Sequence, residues 1–323
     1  MKHLFYAILL VCALCVAANN ARAQQTISSN DLNALLEKAE KSADDYVESF
    51  KNLVAEESKT IEKFAKDGRV DDTRRVKSTL IVYQTQKENE VSEFRSVSEF
   101  NGKRVGRSDN DAIKFFENLT KSKSAEKELS QLQRESSRFD GPAIVWGVTL
   151  REGFILQKEV RPAFNFQIIG KEKIDNRDVI IVEYKQKEDS PFVVVNPRNE
   201  ENENSVGRLE FNVALPGSLN QSNARLNGRF RLDAETGQIW KDEYQVLIQP
   251  PILNAPIVVS EAQFEYQSSK FNVLVPKKFV LTSYQVQNKN KEFRTLKFLE
   301  TTLDYSAFSS VDSEVKDYQI KNK

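Results

Sequence analysis

The strongest constraint in the chain is the stretch 226–248, LNGRFRLDAETGQIWKDEYQVLI, whose pattern is that of an antiparallel hairpin. Leu226, Gly228, Phe230 and Leu232 alternate with Asn227, Arg229 and Arg231, which makes one face largely apolar and the other polar. Asp233-Ala234-Glu235-Thr236-Gly237 supplies the turn, with Gly237 free to take the positive φ a longer hairpin loop needs. The return strand sets Trp240, Tyr244, Val246 and Ile248 on one face.

Shorter runs of the same kind flank the hairpin and predict one large antiparallel sheet. Before it stand Val76 to Gln86, Val91 to Phe100, Phe164-Phe166-Ile168, Val179 to Val182, and the alternating Leu209, Phe211, Val213 and Leu215. After it come Ala262-Phe264-Tyr266, Val280 to Val286 and Phe293 to Leu303. Asn101-Gly102 and Asp175-Asn176 read as tight turns. Two segments read as helical. Leu32, Leu35, Leu36, Ala39, Ala43, Tyr46, Val47, Phe50 and Val54 recur at three- and four-residue steps over Asn30–Val54, and Asp111 to Phe139 returns to that spacing until Gly141-Pro142 stops it. Residues Ala143 to Leu156 suit either a short helix or a strand, and Glu56 to Phe64 could extend the first helix or open a strand. Together these predict an α+β fold: a strongly curved antiparallel sheet, an incomplete barrel, with the N-terminal amphipathic helix and a helical insertion on its concave, open side.

The start of the chain sets an expected compartment. Met1-Lys2-His3 is a basic n-region, Leu4 to Ala18 an apolar h-region and Ala21-Arg22-Ala23 a cleavage site. The expectation is a signal peptide over 1–23, one domain over 24–311 and a charged tail over 312–323, placing the mature protein in the periplasm or outside the cell. The apolar run is about 15 residues, too short for a membrane span of about 20. The single His, both Cys and the single Met (His3, Cys12, Cys15, Met1) all fall inside that leader. A mature chain without them has no imidazole base, thiolate nucleophile or disulfide, and no zinc, haem, iron–sulfur or blue-copper ligand set. No cofactor is expected, nor is any phosphate loop or dinucleotide fingerprint present. Loss of Lys2 and Arg22 with the leader leaves two more acids than bases, which gives no electrostatic case for nucleic acid.

The order of segments resembles a known class. A leader precedes a helix running through Tyr46-Val47, Phe50 and Leu53 to Glu57; later come Gly228-Arg229-Phe230, Asp233, Thr236-Gly237, Val275-Pro276 and a terminal Tyr305-Ser306 with Phe308. This resembles uncharacterised secreted proteins of Acidobacteria and, through the hairpin pattern, the LolA/LolB-type carriers that include the outer-membrane lipoprotein-sorting proteins. The resemblance implies an incomplete, curved antiparallel barrel closed by helices, with an apolar concavity for acyl chains, and makes Ala55 to Phe64 the first strand. No motif here matches the residues with which carriers engage transporters.

Large aromatics at inward strand positions (Phe211, Phe230, Trp240, Tyr244, Phe264 and Tyr266) are the candidate lining of a ligand cavity. The expected partner is a lipid or the acyl chain of a lipoprotein, bound without catalysis. A filled sheet serving as an envelope interaction protein is the alternative, and a carboxylate-only glycan hydrolase stands third. Asp233, Glu235, Asp242 and Glu243 read as solvated acids about the central turn, and Glu56-Glu57 as surface charge.

Overall fold

The structure is a computed structural model that describes residues 29–50, 52–84, 91–105, 153–187, 192–195, 209–211, 224–249, 255–271, 273–289 and 292–310, with 134, 139, 140, 149 and 215. The expected leader, the tail over 312–323 and nearly all of the helical insertion lie outside these residues. One helix, α1 (Ser29–Phe50), precedes β1 (Leu53–Phe64), β2 (Val70–Gln84), β3 (Val91–Phe100) and β4 (Lys103–Arg104). Two single 3-10 turns, η1 (Phe154–Leu156) and η2 (Arg161–Ala163), lead into β5 (Phe164–Ile174) and β6 (Arg177–Gln186). Then follow β7 (Val193–Val195), β8 (Leu209–Phe211), β9 (Ala224–Asp233), β10 (Ile239–Ile248), β11 (Ile257–Ser268), β12 (Leu274–Lys289) and β13 (Glu292–Ser310).

Eleven strands form one antiparallel sheet in the order β4-β3-β2-β1-β13-β12-β11-β10-β9-β6-β5. The chain's first strand therefore pairs with its last, Leu53 opposite Ser310 and Lys59 opposite Leu303. Laid flat at about 4.8 Å per strand, such a sheet would be roughly 48 Å wide. The 22-residue helix is about 33 Å long. Yet Leu80 and Val82 of β2, Phe164 of edge strand β5 and Leu36, Ala39, Tyr46 and Phe50 of α1 belong to one apolar core. The sheet curves around the helix without closing, as an incomplete barrel. Register shifts in eight of the ten ladders described for this sheet provide the bending, because an extra residue on one strand sharpens local twist.

The predicted turns form as their residues require. Asn101-Gly102 and Asp175-Asn176 carry paired positive φ values of 49° and 77°, and 48° and 64°, the geometry that matches hairpin twist. In the central hairpin, Asp233 Oδ1 accepts from the backbone N–H of Glu235 (2.9 Å) and Thr236 (2.8 Å). Gly237 takes φ 77°, and a Cβ there would stand 2.8 Å from the backbone of Lys38 and Ala39. The hairpin end thus tucks directly under α1.

Two expectations are corrected. Helical periodicity carries on to Val54, but α1 ends at Phe50 and Asn52 turns the chain at φ 59° into β1, as the class resemblance implied. Val54 is buried as a strand residue, and an apolar residue every second position satisfies both periods across so short an overlap. Second, Leu209–Phe211 does not join the large sheet. It pairs in parallel with β7 as a separate two-stranded piece.

Candidate functional site

The inward face beneath α1 divides into two halves of different chemistry. The half built on β5, β6 and β9 to β12 is aromatic. Phe166, Tyr184, Gly228, Tyr244 and Ala262 share one cross-strand row, as do Val182, Phe230, Asp242, Phe264 and Phe279. Tyr184 stands 4.8 Å from Phe230 centroid to centroid, Tyr244 6.0 Å from Phe264, and Phe264 4.5 Å from Phe279. Tyr46 of the helix meets Tyr266 edge-on at 6.3 Å. Offset and edge-on pairs of this kind add to the burial of the rings themselves.

Between the Tyr184–Phe230 pair and the Tyr244–Phe264 pair lies a cavity of about 20 Å³, capped by Phe154 and Ile155 of η1 and by Leu209. Room for roughly one water is left there. Of the six candidate lining residues, Phe230, Tyr244, Phe264 and Tyr266 border this space. Phe211 lies behind Tyr244, ring to ring at 6.2 Å. Trp240 is buried elsewhere, on the bulge between Ile239 and Lys241, with its indole N–H 3.5 Å from Asp233 Oδ2.

The cavity also holds one acid, Asp242. Register forces it inward: it faces Phe230 across the β9–β10 ladder, two residues from Tyr244 on the same side of the strand. The expectation of four solvated acids around the turn is therefore wrong for this one. It is also wrong for Asp233, which is buried with its oxygens taken by the turn N–H groups and the Trp240 indole. Tyr184 donates its hydroxyl proton to Asp242 Oδ1 at 2.8 Å, reaching across β9 to do so. It can reach because the intervening residue is Gly228, where a Cβ would run into the Tyr184 ring and the Glu243 carbonyl. Burial pushes the Asp242 carboxyl up to about 7, the hydrogen bond from Tyr184 only partly opposing it. Burial and the neighbouring carboxylate raise the Tyr184 phenol well above its ordinary range. None of the described residues around the cavity is basic.

The adjacent Glu243 points to the opposite face and behaves in the opposite way. Burial alone would raise it, but hydrogen bonds from Arg231 (2.9 Å) and Arg229 (2.7 Å) hold it down at about 2. Asp242 and Glu243 thus do not converge on a shared ion or substrate, and Asp233 is committed to the turn.

The other half of the inward face, on β1, β2, β3 and β13, is charged and buried. Arg95 Nε donates to both Glu57 oxygens at 2.8 and 2.9 Å, and Arg95 Nη2 lies 3.2 Å from Glu93 Oε2. Ser78 donates to Glu57, and the Thr149 N–H and hydroxyl both donate to Glu93. Lys59 pairs with Asp140 at 2.5 Å. Glu57, Lys59, Glu93 and Arg95 are each exposed by 5% or less. Arg95 Nη1 and the Tyr305 hydroxyl are the buried groups of this cluster left without a well-aligned hydrogen bond. Burial would raise the Glu57 carboxyl, but Arg95 and Lys59 bring it below its usual value. Glu57 is thus no surface charge, and only its neighbour Glu56 faces solvent. Strand alternation could have shown this, since Leu53, Ala55, Glu57, Lys59 and Ile61 share one face of β1. Glu57 and Glu93 clamp one arginine and do not oppose each other across a cleft, the geometry a carboxylate-only hydrolase needs.

Among the described residues no helix is long and apolar enough to cross a membrane. No family's sequence model matches the chain, and no curated protein matches it. Solved structures similar to it include a DUF1329 family protein from Desulfovibrio piger, at 12% identity over 86% of this chain and 92% of that one, TM-score 0.33. A putative outer membrane lipoprotein-sorting protein domain from Vibrio parahaemolyticus matches at 10% identity over 88% and 97%, TM-score 0.35. A LolA superfamily protein from Nitrosomonas europaea matches at 10% over 86% and 92%, TM-score 0.31. None of these supports an acidobacterial origin, and likeness this weak carries no argument about ligand or activity. By its own topology the chain is an incomplete curved barrel with a helix on its open side.

Proposed function

We propose that this chain is an exported, non-catalytic binding protein that takes one apolar chain, a lipid or the acyl group of a lipidated partner, between the curved sheet and α1. The mature unit is the single domain 24–311. The observation that supports it is the aromatic cavity between Tyr184–Phe230 and Tyr244–Phe264. A core meant only to pack has no need of an uncompensated carboxyl, yet Asp242 stands in the wall of this one. Ligand entry requires the cap to move outward. Among the described residues that cap is a three-residue 3-10 turn and Leu209 of a two-stranded piece.

A second reading has its own support. About 20 Å³ is far below the several hundred that ligand pockets occupy. A sheet filled in this way suits an envelope interaction protein whose surface does the work. Native mass spectrometry of the protein purified from its own envelope, followed by lipid extraction, separates the two. The binding reading expects a stoichiometric apolar adduct that denaturation releases. Adduct-free protein that also ignores a fluorescent fatty-acid probe would leave the filled sheet standing.

A further inference from the structure

We infer that the cavity selects an amphiphile whose buried end is an ammonium group, with Asp242 as counter-ion and the surrounding rings as a cation–π cage. The inference rests on the proposed apolar-ligand function and names the head group it would take. Three features converge. The carboxyl is inward, among Tyr184, Phe230, Tyr244 and Phe264, whose π-faces attract a cation and do nothing for an anion. Its hydrogen bonds to the protein are neutral ones, from the Tyr184 hydroxyl at 2.8 Å and from the backbone of Glu243. Among the described residues no lysine or arginine borders the cavity, whereas every buried acid of the β1–β3 cluster has a cation within 3.2 Å. A buried carboxylate without a cation is costly, and a bound ammonium would supply the missing charge. A fatty-acid carboxylate brought here would instead add a second negative charge in a low-dielectric site.

Among the described residues the other titratable groups bordering the cavity are phenols: Tyr184 on β6, Tyr244 on β10 and Tyr266 on β11, with Tyr46 of α1 against Tyr266. Among them, too, the one carboxylate acting on Asp242 is its chain neighbour Glu243, which raises it further. Phenols ordinarily titrate near pH 10. Between pH 5.5 and 8, therefore, the carboxyl of Asp242, pushed up to about 7, is the group in the cavity that changes charge.

The test uses the mature chain and three C12 probes below their micellar concentrations: dodecyltrimethylammonium, dodecanol and dodecanoate, with tetramethylammonium alone as the head without a chain. At pH 8 the cation should bind at least tenfold more tightly than dodecanol, and dodecanoate weakest. Tetramethylammonium should bind more weakly than the C12 cation. Asp242→Asn, or the parent at pH 5.5, should bring the cation within about threefold of dodecanol, while Tyr184→Phe should keep the preference. Equal binding of all three probes by the parent, or a preference that survives both Asp242→Asn and pH 5.5, overturns the ammonium inference and leaves apolar binding intact. Tetramethylammonium binding as tightly as the C12 cation would move the site to free small amines and overturn the amphiphile. Binding of no probe at any pH overturns both this inference and the function on which it rests.

Discussion

The two halves of the inward face bury acids in opposite ways. On β1 to β3, Glu57 and Glu93 share Arg95, and Lys59 takes Asp140, so charge is neutralised within the fold. On β10, Asp242 is inward and half-buried, with a phenol as its side-chain partner and no cation among the described residues. A compensated cluster is a structural device: it fixes which strand residues meet and which segment docks over them, through Asp140 and Thr149. An uncompensated acid has no such use in an apolar surround. It persists where something outside the fold completes it, which is why the site is placed at Asp242 and not at the larger cluster.

The largest effect expected from breaking this contrast is at Arg95. Arg95→Met keeps the bulk but leaves Glu57 and Glu93 buried without their cation, and should cost roughly 3–5 kcal/mol in urea unfolding at pH 7. The loss should shrink as pH falls and Glu57, no longer held down by Arg95, takes up a proton. Replacing all three together, as Met with two Gln, should recover most of the stability. A small cost for Arg95→Met alone would show that the cluster is hydrated and does not hold the strands.

Asp242→Asn should do the reverse and stabilise the protein. The folded carboxyl titrates at about 7 against an ordinary 3.8, so the folded state holds the proton more tightly. The parent's stability is then highest below pH 4 and falls as pH rises through 7. The variant does not titrate. Its advantage should grow from near zero at pH 4 to about 3–4 kcal/mol at pH 8, roughly three pH units at 1.36 kcal/mol each. Asp140 is also raised by burial, but its contribution is common to both proteins and drops out of the difference. An advantage independent of pH would mean that Asp242 is ionised and solvated throughout.

Tyr184→Phe sharpens the same point with a smaller effect. Its hydroxyl is the side-chain donor to Asp242, so the loss should be about 1.5–3 kcal/mol at pH 8, where the acceptor is charged. It should fall to about 1 kcal/mol at pH 5. Removing the donor also moves the Asp242 midpoint upward, which carbon-13 NMR of the labelled carboxyl would read directly.

How much of this was legible in the sequence differs between the two halves. Period-2 alternation from Leu226 to Leu303 marked the strands, and Asn101-Gly102, Asp175-Asn176 and Gly237 marked their turns, because those signals are local. The aromatics Phe230, Tyr244, Phe264 and Tyr266 were visible as a set for the same reason. Trp240 was not placed correctly, since the bulge after Ile239 takes it out of phase with Tyr244 and depends on pairing with β9. Asp242, by contrast, shares the face of Tyr244 by plain alternation and read as solvated from its charge alone. The Glu57–Arg95–Glu93 cluster needs β1 and β3 to meet across β2, and a charged residue in an amphipathic strand otherwise reads as solvent-facing. The end of α1 was hidden by apolar residues that suit either period.

The smallest expected effect compares two neighbours on one strand. Glu243 points away from Asp242, toward Arg229 and Arg231 on the outer face, and titrates at about 2 against an ordinary 4.5. Its stabilisation is therefore complete above pH 4.5 and is lost as pH falls through 2, the opposite sign and the opposite end of the scale from Asp242. Arg229 is about half exposed, so solvent screens much of the pairing and Glu243→Gln should cost only about 1 kcal/mol at pH 7. That difference should vanish below pH 2 and weaken in 1 M salt, whereas the Asp242→Asn advantage at pH 8 should be far less sensitive to salt because its cause is burial. If both variants respond to salt alike, the two carboxyls share one environment, and the division of β10 into a solvated face and a ligand face fails with it.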